Sequence, residues 1–447
     1  MASDPLLHLT QRFAMYFIPV LIAILATGLA RLYQRRSKGV AACRKLGLDP
    51  RSNIADEHAP HYDGAAQKEQ GGKWTVKSLW TYPVKSCRGV ELGKSNVTGL
   101  GMQYDRLFSF AHYTKRETSQ EKPPKLGWSF LTQRQVPALT KVKTEIWVPD
   151  PSSEDYEEDH PNVLSEGVLV IKWPRFSAWP LLQRLLGHSM EMSVQLPFDP
   201  TQDQIKSNGM ELTDMKIWKN QASALKLAST REGSAQSAGW IKDLLRYLDL
   251  ECRRQNPPFI SKAGHRNPGF TFDMTKPFAL LRSDPSAPRQ VFRNAPTKDV
   301  VGYQPVIGFQ DAYPLHIMNL ASVREVAKNL EPGSPLLSVR NYRPNMIVVG
   351  GDAYAEDEWK KINIGGATYY VSNRTSRCLL PNVDQDTGRK DAVEPNKTMM
   401  KLRKIDEGCP TSACLGMQMV PAVEGQKVVR VGDEVEVTEV GEHFYIK

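Results

Sequence analysis

The amino-acid sequence predicts a mixed α+β body with a transmembrane helix in front of it. An uncharged apolar run occupies residues 13–30, helical periodicity is sparse after it, and short β-type runs fill the last third of the chain. At 447 residues, the chain has room for two or three domains of about 100–200 residues each. We predict four segments: an anchor (1–43), a flexible linker (44–73), a β-rich domain (74–255) and a second β-rich domain (256–447).

The apolar run near the N-terminus is the predicted anchor. Phe13 to Ala30 are 18 residues without a charge, and as an α-helix they would extend about 27 Å, close to the hydrocarbon thickness of a bilayer. Only Arg12 precedes the run, whereas a cluster of basic residues follows it: Arg31, Arg35, Arg36, Lys38, Arg44 and Lys45. The positive-inside rule therefore puts the body in the cytosol. A cleaved secretory signal is the alternative, but its positive charge would come before the apolar run.

The body is predicted to begin with a strand over Trp74–Tyr82, which combines aromatic and β-branched residues with partial alternation. Residues 104–108 are predicted as another strand, which carries Arg106. Helical spacing of apolar residues recurs around 240–248 and 320–330.

Polar composition predicts loops over 149–161 and 197–214, and a connection between the two halves over 252–300. The C-terminal third is predicted as β structure, with a short strand at 345–349 and a hairpin at 427–437.

The net charge indicates which partners the protein favours, and the cysteine content indicates its redox compartment. Lys and Arg exceed Asp and Glu by 58 − 49 = 9, which favours anionic partners such as phosphorylated cofactors, acidic proteins or membrane surfaces. No dense Lys/Arg stripe with interleaved aromatic residues occurs, so we expect no nucleic-acid binding. The six cysteines form no C-x-x-C pair, which is typical of a reducing compartment and indicates neither a zinc site nor a disulfide framework.

The turn after the first strand carries groups that suit a phosphate. Lys85 supplies a point charge, Ser86 a hydroxyl and Arg88 a guanidinium, beside the N–H groups of the turn. Arg106 would add a bidentate donor if it lay beside Lys85. A surface turn with a salt-bridged arginine would account for the same residues, because Lys and Arg are usually exposed.

Two later segments add polar groups. Arg343 and Asn345 precede an apolar strand, and the Asn amide suits the edge of a heterocycle; punctuation of a strand end is the alternative. Cys378 follows Arg374 and Arg377, and positive charge favours the thiolate, a ligand of soft or redox-active metals. The alternative is that Cys378 is a small, buried packing residue, as lone cysteines often are.

Six motifs together resemble a known family. They are Tyr-Pro-Val-Lys-Ser-Cys-Arg-Gly at 82–89, Asp-Arg-Leu-Phe at 105–108, Arg-Pro-Asn at 343–345, Tyr-Ala-Glu-Asp-Glu-Trp at 354–359, Ser-Arg-Cys at 376–378 and Val-Asp-Gln-Asp-Thr-Gly at 383–388. In this order and spacing, the chain resembles the MOSC-domain family and, within it, the mitochondrial amidoxime-reducing components. The resemblance implies a β-rich N-terminal MOSC-type domain followed by a β-barrel-like MOSC domain.

The resemblance also implies a molybdenum-molybdopterin cofactor (Moco). Cys378 would be the catalytic residue and the single protein ligand of the metal. The cofactor-binding residues would be Lys85, Ser86 and Arg106 at the phosphate, with Arg343, Asn345, Ser376 and Arg377 as further contacts. Asp311 and Tyr313 extend this set, although Tyr313 stands where the animal proteins have a serine. Pro381-Asn382 replaces a Thr pair of the family.

The implied reaction is reduction of N-hydroxylated compounds, N–OH to N–H, with electrons from NADH through NADH-cytochrome b5 reductase and cytochrome b5. The implied location is the mitochondrial outer membrane, with the endoplasmic reticulum as the alternative. Two other functions stay open. One is a sulfur-carrier or cofactor-maturation protein that uses a Cys378 persulfide, and the other is a binding protein with a degenerate site. We expect no pyridoxal phosphate binding, because the chain has no room for that domain.

Overall fold

A computed structural model of the chain describes residues 15–18, 20, 22–23, 26, 39–69, 72–115, 126–175, 190–231, 238–260, 266–267, 269–422 and 427–445. The predicted anchor lies mostly outside these residues. Within them, no helix is both long enough and apolar enough to cross a membrane. The chain divides into two compact units, a smaller one over 1–45 and 147–199 and a larger one over 46–146 and 200–447.

The described strands are, in chain order, β1 (Cys43–Leu46), β2 (Thr75–Thr81), β3 (Val84–Lys85), β4 (Val90–Leu92), β5 (Lys94–Thr98), β6 (Gly101–Met102), β7 (Phe108–Lys115), β8 (Leu126–Phe130), β9 (Lys143–Pro149), β10 (Val168–Pro174), β11 (Glu191–Pro197), β12 (Glu211–Ile217), β13 (Asn220–Ser229), β14 (Phe259–Ile260), β15 (Arg266–Asn267), β16 (Phe278–Ser283), β17 (Arg289–Gln290), β18 (Val306–Ile307), β19 (Leu315–Asn319), β20 (Met346–Val349), β21 (Trp359–Ile364), β22 (Ala367–Ser376), β23 (Cys414–Ala422), β24 (Lys427–Arg430) and β25 (Val435–Val440).

The described α-helices are α1 (Gly64–Glu69), α2 (Pro161–Leu164), α3 (Gln202–Ser207), α4 (Ala238–Gln255), α5 (Lys298–Val301), α6 (Leu320–Lys328) and α7 (Asn396–Leu402). Short 3-10 helices lie at Pro60–Tyr62, Pro137–Lys141, Val339–Tyr342, Ala355–Glu358 and Leu380–Asn382. The strand predicted at 74–82, both predicted helices and the strand at 345–349 are confirmed.

Five strands of the larger unit close into a barrel. They pair in the order β16-β13-β12-β8-β7, and β16 pairs again with β7 to complete the ring. Alternate residues of these strands form one buried apolar cluster, in which Ala111, Ala222, Ala224 and Ala279 leave space for Trp128. Small side chains are needed there because a barrel of five strands has a narrow interior. β3 joins the outside of this ring through parallel pairing with β7, which brings Lys85 to the barrel.

The larger unit also contains an eight-stranded sheet in the order β25-β21-β22-β23-β19-β20-β2-β4. Its β19 and β20 pair in parallel, and α6 directly follows β19. Apolar residues of α6, β2 and β20 share one buried cluster. The barrel and this sheet both take strands from either side of residue 255, the predicted domain boundary. The smaller unit is built on a four-stranded sheet in the order β1-β9-β10-β11.

The stretch from 46 to 69 is packed on the larger unit rather than forming a flexible linker. Ile54 is buried in the apolar cluster. Glu57 is buried as well, and its carboxylate accepts hydrogen bonds from Ser338 Oγ at 2.7 Å and Val339 N at 2.8 Å. The linker prediction is wrong for this stretch. It rested on the lack of hydrophobic periodicity, but isolated residues such as Ile54 and Glu57 are enough to hold the segment in place.

Glu57→Ala is expected to lower the free energy of unfolding by about 2 kcal/mol, because two buried donors lose their acceptor. Urea denaturation measures this change. Glu439→Ala removes an exposed carboxylate of β25 and should stay within about 0.5 kcal/mol of the wild type. Equal effects of the two substitutions would show that the Glu57 contacts contribute nothing.

Local predictions failed where turn and cap chemistry outweighed composition. Residues 103–106 form a turn instead of a strand, with Tyr104 and Arg106 in the left-handed region at φ of 65° and 53°. The loop predicted over 197–214 contains α3 and the start of β12; a capping box between Thr201 and Gln204 begins that helix.

Two longer-range predictions also failed. The connection predicted over 252–300 contains β16, which closes the barrel. The predicted hairpin does form β24 and β25, but they do not pair with each other: β24 pairs with β5, and β25 with β21. Strand partners distant in sequence decide both cases, and local composition does not encode them.

Candidate functional site

Lys85 and Asp311 form an ion pair inside the larger unit. The Lys85 Nζ lies 2.7 Å from Asp311 Oδ1 and donates a second hydrogen bond to the Phe309 carbonyl at 2.8 Å. Trp218 Nε1 donates to the same Asp311 oxygen at 2.9 Å. The structure thus joins two predicted site residues that are more than 220 positions apart in the chain.

The Lys85 ammonium is buried among other cations, where its positive charge is unfavourable. Its side chain is only 4% exposed, and burial lowers its pKa to about 8, although Asp311 acts in the opposite direction. Arg106 and Arg289 lower the pKa of Lys85 further. A bound anion would relieve this repulsion.

Arg106 and Arg343 stack on the Tyr82 ring. Their guanidinium carbons lie 4.7 and 4.1 Å from the ring centroid. Arg106 also pairs with Asp105 at 2.5 Å and donates to the Arg343 carbonyl at 3.2 Å. The turn before β7 and the turn before β20 are therefore held together by these two predicted cofactor ligands.

Three of the predicted cofactor-binding residues have strained backbone. Ser86, Arg106 and Arg343 have φ angles of 68°, 53° and 54°, a left-handed region that non-glycine residues rarely adopt. Each such residue costs about 1–3 kcal/mol, and such residues concentrate at functional sites. The left-handed backbone orients these side chains from turns, in directions that a regular strand could not provide.

The charges around these residues fit an anionic cofactor. Five cations, Lys85, Arg106, Arg289, Arg343 and Arg377, are buried or half-buried here, and the carboxylates that act on them are Asp105 and Asp311. Two of the buried guanidinium nitrogens, Nη2 of Arg343 and Nη1 of Arg289, have no hydrogen-bond partner among the described residues. Burial lowers the pKa of Arg343 to about 10. A phosphate or a polar heterocycle would supply the missing acceptors.

Arg377, the neighbour of Cys378, is fixed by a histidine that the sequence analysis missed. Arg377 donates to the Leu415 carbonyl at 2.8 Å, and its Nη2 lies 2.5 Å from His316 Nε2. His316 is buried, and burial followed by the charges of Arg377 and Arg106 holds its pKa well below the usual range. The ring is therefore neutral, with Nε2 as an acceptor. A lone histidine inside the apolar run of β19 was the signal in the sequence.

Cys378 follows the end of β22 and is exposed, whereas the other five cysteines are buried. The alternative reading of Cys378 as a buried packing residue is therefore wrong. The described residues contain no group of three or more His, Cys, Asp or Glu side chains that could hold a metal ion. Any metal held here by Cys378 would need ligands from another source.

Three other predicted residues are occupied by contacts within the chain. Asn345 Oδ1 accepts from His316 N at 3.1 Å, and its Nδ2 donates to the Trp80 carbonyl at 3.2 Å, so this amide connects β19, β20 and β2. The Tyr313 hydroxyl accepts from Asn373 Nδ2 at 3.1 Å. Ser376 Oγ accepts from a buried thiol, that of Cys409, at 3.7 Å.

Comparisons with known proteins show similarity to MOSC-domain proteins. The model of the MOSC N-terminal beta barrel domain matches residues 73–159, and that of the MOSC domain matches residues 304–436. The chain is 24% identical to "Mitochondrial amidoxime-reducing component 1" of Mus musculus over 370 residues, 81% of each chain. It is 22% identical to the Homo sapiens protein of that name over 366 residues, 81% of this chain and 82% of the other. It is 25% identical to "Molybdenum cofactor sulfurase" of Botryotinia fuckeliana over 412 residues, 84% of this chain but 42% of that protein.

Proposed function

Because the chain belongs to the MOSC-domain family, we propose that it is a molybdenum-cofactor oxidoreductase that reduces N-hydroxylated compounds. The observation that carries this proposal is the exposed Cys378 beside Arg377, in a unit whose cationic site has two buried guanidinium nitrogens without a hydrogen-bond partner among the described residues. The names of the curated relatives support the same reaction class.

Each residue of the site would have a distinct role. Lys85 and Ser86, with Arg106, would bind the cofactor phosphate, and Arg343 would use its free Nη2 as a further donor. Cys378 would bind the metal through its thiolate. When bound, the cofactor supplies the two-electron centre, and the protein supplies binding, orientation and electrostatics.

The position of Cys378 determines access for the substrate. The overall reaction uses two electrons and two protons to convert N–OH into N–H and water. An exposed Cys378 leaves substrate and protons free to arrive from solvent. His316 supplies no proton, because its neutral ring already accepts from Arg377. It would instead keep Arg377 in position.

The electron donor proposed is cytochrome b5, reduced by NADH-cytochrome b5 reductase. A net charge of +9 favours a brief encounter with an acidic haem protein. We also propose attachment to the mitochondrial outer membrane through residues 13–30; the word mitochondrial in the names of the relatives favours this membrane over the endoplasmic reticulum.

A second candidate is a sulfur-carrier or cofactor-maturation role through a Cys378 persulfide. The similarity to a molybdenum cofactor sulfurase over 84% of this chain favours it. The chain spans under half of that relative, and the exposed thiol of Cys378 suits either function.

We expect the cofactor-loaded protein to reduce benzamidoxime to benzamidine when NADH, cytochrome b5 and its reductase are all present. The measurements are NADH oxidation and product formation, and omission of cytochrome b5 is the control. A molybdenum-loaded sample with no activity would contradict the reductase. Cyanide-labile sulfur that is present in the wild type and absent from Cys378→Ala would then support the maturation role.

A further inference from the structure

A large cavity lies within the larger unit. Its volume is about 1270 Å³, and Leu379, the residue after Cys378, is part of its wall. The rest of the wall comes from residues around 134–137, 255–257, 269–276, 330–341 and 379–395. Sites for drug-sized ligands measure about 300–1,000 Å³, so a hydroxylamine or another very small substrate would leave most of this space unfilled.

Apolar side chains that would be expected inside a core lie open at this cavity. Leu336 is 71% exposed, and Leu379 and Val393 are each 44% exposed. Phe270 and Phe272, which come from a segment more than 60 residues earlier in the chain, are half-buried in the same wall. Scattered exposed apolar residues need no explanation, but several around one concave surface mark a binding site.

The cavity wall is fixed by hydrogen bonds within the loop after Cys378, and it carries no net charge. Four basic and four acidic side chains line it. Asp384 accepts hydrogen bonds from Thr387 N at 2.7 Å and Oγ1 at 2.8 Å, and Asp391 accepts from Val393 N at 2.8 Å. The Asn341 side chain donates to the Pro381 carbonyl at 2.9 Å. These bonds hold the loop after Cys378 in a defined shape, and the balance of charge favours an uncharged occupant.

We propose that this cavity binds the apolar body of the substrate, whose N–OH group is presented at Cys378. The inference rests on the proposed reductase function and specifies where the uncharged aryl or alkyl group of an N-hydroxylated substrate binds. Leu336 and Val393 are specificity-determining residues, since they are apolar, exposed and part of the wall.

The test uses 4-alkylbenzamidoximes from methyl to butyl with the cofactor-loaded protein. Each buried methylene should lower KM about 2- to 4-fold. The kcat should change little, because this contact binds substrate and transition state alike. The double variant Leu336→Ser, Val393→Ser should lose most of the dependence on chain length. Leu212→Ser is the matched control, because Leu212 on β12 is also 71% exposed, lies outside the cavity wall and should leave the dependence intact.

Binding of 4-alkylbenzamides, which cannot be reduced, separates this inference from the reductase function. Calorimetry should show affinity that rises with chain length in the wild type and stays flat in the double variant. Reduction with a flat KM series would overturn the cavity proposal and leave the reductase intact. Length-dependent amide binding without any reduction would support the cavity as an apolar ligand site and overturn the reductase. Flat amide binding in the wild type would overturn the cavity proposal whatever the activity.

Discussion

Cys378→Ala is expected to remove molybdenum from the protein and to lower reductase activity by more than about 100-fold, with almost no change in stability. Loss of an outer partner of a metal ligand alone costs about 10- to 100-fold, and Cys378 is the proposed ligand itself. Because the thiol is exposed, its removal creates no cavity, and the free energy of unfolding should change by no more than about 0.5 kcal/mol. Metal analysis after gel filtration, steady-state kinetics and urea denaturation measure the three effects.

Cys252→Ala is the control, and it should lower stability without changing the molybdenum content. Cys252 is fully buried in α4, and its Sγ accepts a hydrogen bond from Ala138 N at 3.5 Å. Its replacement should destabilise the protein by about 1–2 kcal/mol and leave the molybdenum content per folded chain unchanged. If Cys378→Ala retained wild-type molybdenum and activity, the ligand assignment would be wrong. If it retained molybdenum but lost cyanide-labile sulfur, the maturation role would gain support.

Local elements could be predicted from the sequence where a single pattern repeats within a short window. The strand at β2 and the helices α4 and α6 each show such a pattern. The closure of the barrel could not be predicted, because β16 pairs with β7 across more than 160 residues and its own sequence lies in a Pro- and Arg-rich stretch. Pairing between distant strands depends on the whole chain, not on composition near the strand.

The site was predictable only in part for the same reason. Lys85, Arg106 and Arg343 were each more simply explained as exposed residues, and their motifs became informative only through the family resemblance. The left-handed turns at Tyr104 and Arg106 lack the Gly or Asn that usually marks such positions, so Arg106 was assigned to a strand. Arg289 went unnoticed because it lies in a stretch predicted to be a connection, although its guanidinium donates to the Gly308 carbonyl at 2.8 Å.

Tyr313, which stands where the resemblance implies a serine, is a packing residue. A serine there would offer a small hydroxyl, whereas Tyr313 packs with Val291, Ile307 and Val420 in an apolar cluster. Its hydroxyl accepts from Asn373 Nδ2, a residue of β22. Its side chain thus supports the strand that leads to Cys378. Asp311, two residues earlier, lies beside Lys85.

Lys85→Met is expected to leave the stability at pH 7 almost unchanged and to lower the cofactor content. Burial lowers the pKa of Lys85 from 10.5 to about 8. The unfolded chain therefore binds more protons between about pH 8 and 10.5, and the stability of the wild type should rise with pH over that window by about 3 kcal/mol. Met fills the same space without charge, and Asp311 keeps its bond from Trp218. At pH 7 the cofactor-free variant should stay within about 1 kcal/mol of the wild type, because the substitution removes the burial cost of the ammonium together with its ion pair to Asp311, whose side chain is 53% exposed.

The cofactor content of Lys85→Met should nevertheless fall by about 10-fold or more, because a phosphate would lose a charge-assisted hydrogen bond in a buried site, worth about 1.5–3 kcal/mol. Urea denaturation from pH 7 to 10.5 and molybdenum analysis are the measurements, with Lys206→Met, on the exposed face of α3, as the control. The same pH slope in both variants would contradict the burial argument, and full molybdenum in Lys85→Met would contradict the phosphate role. A lysine that only stabilises the fold should lose stability on replacement and leave cofactor content per folded chain unchanged, whereas a lysine that binds an anion should show the reverse.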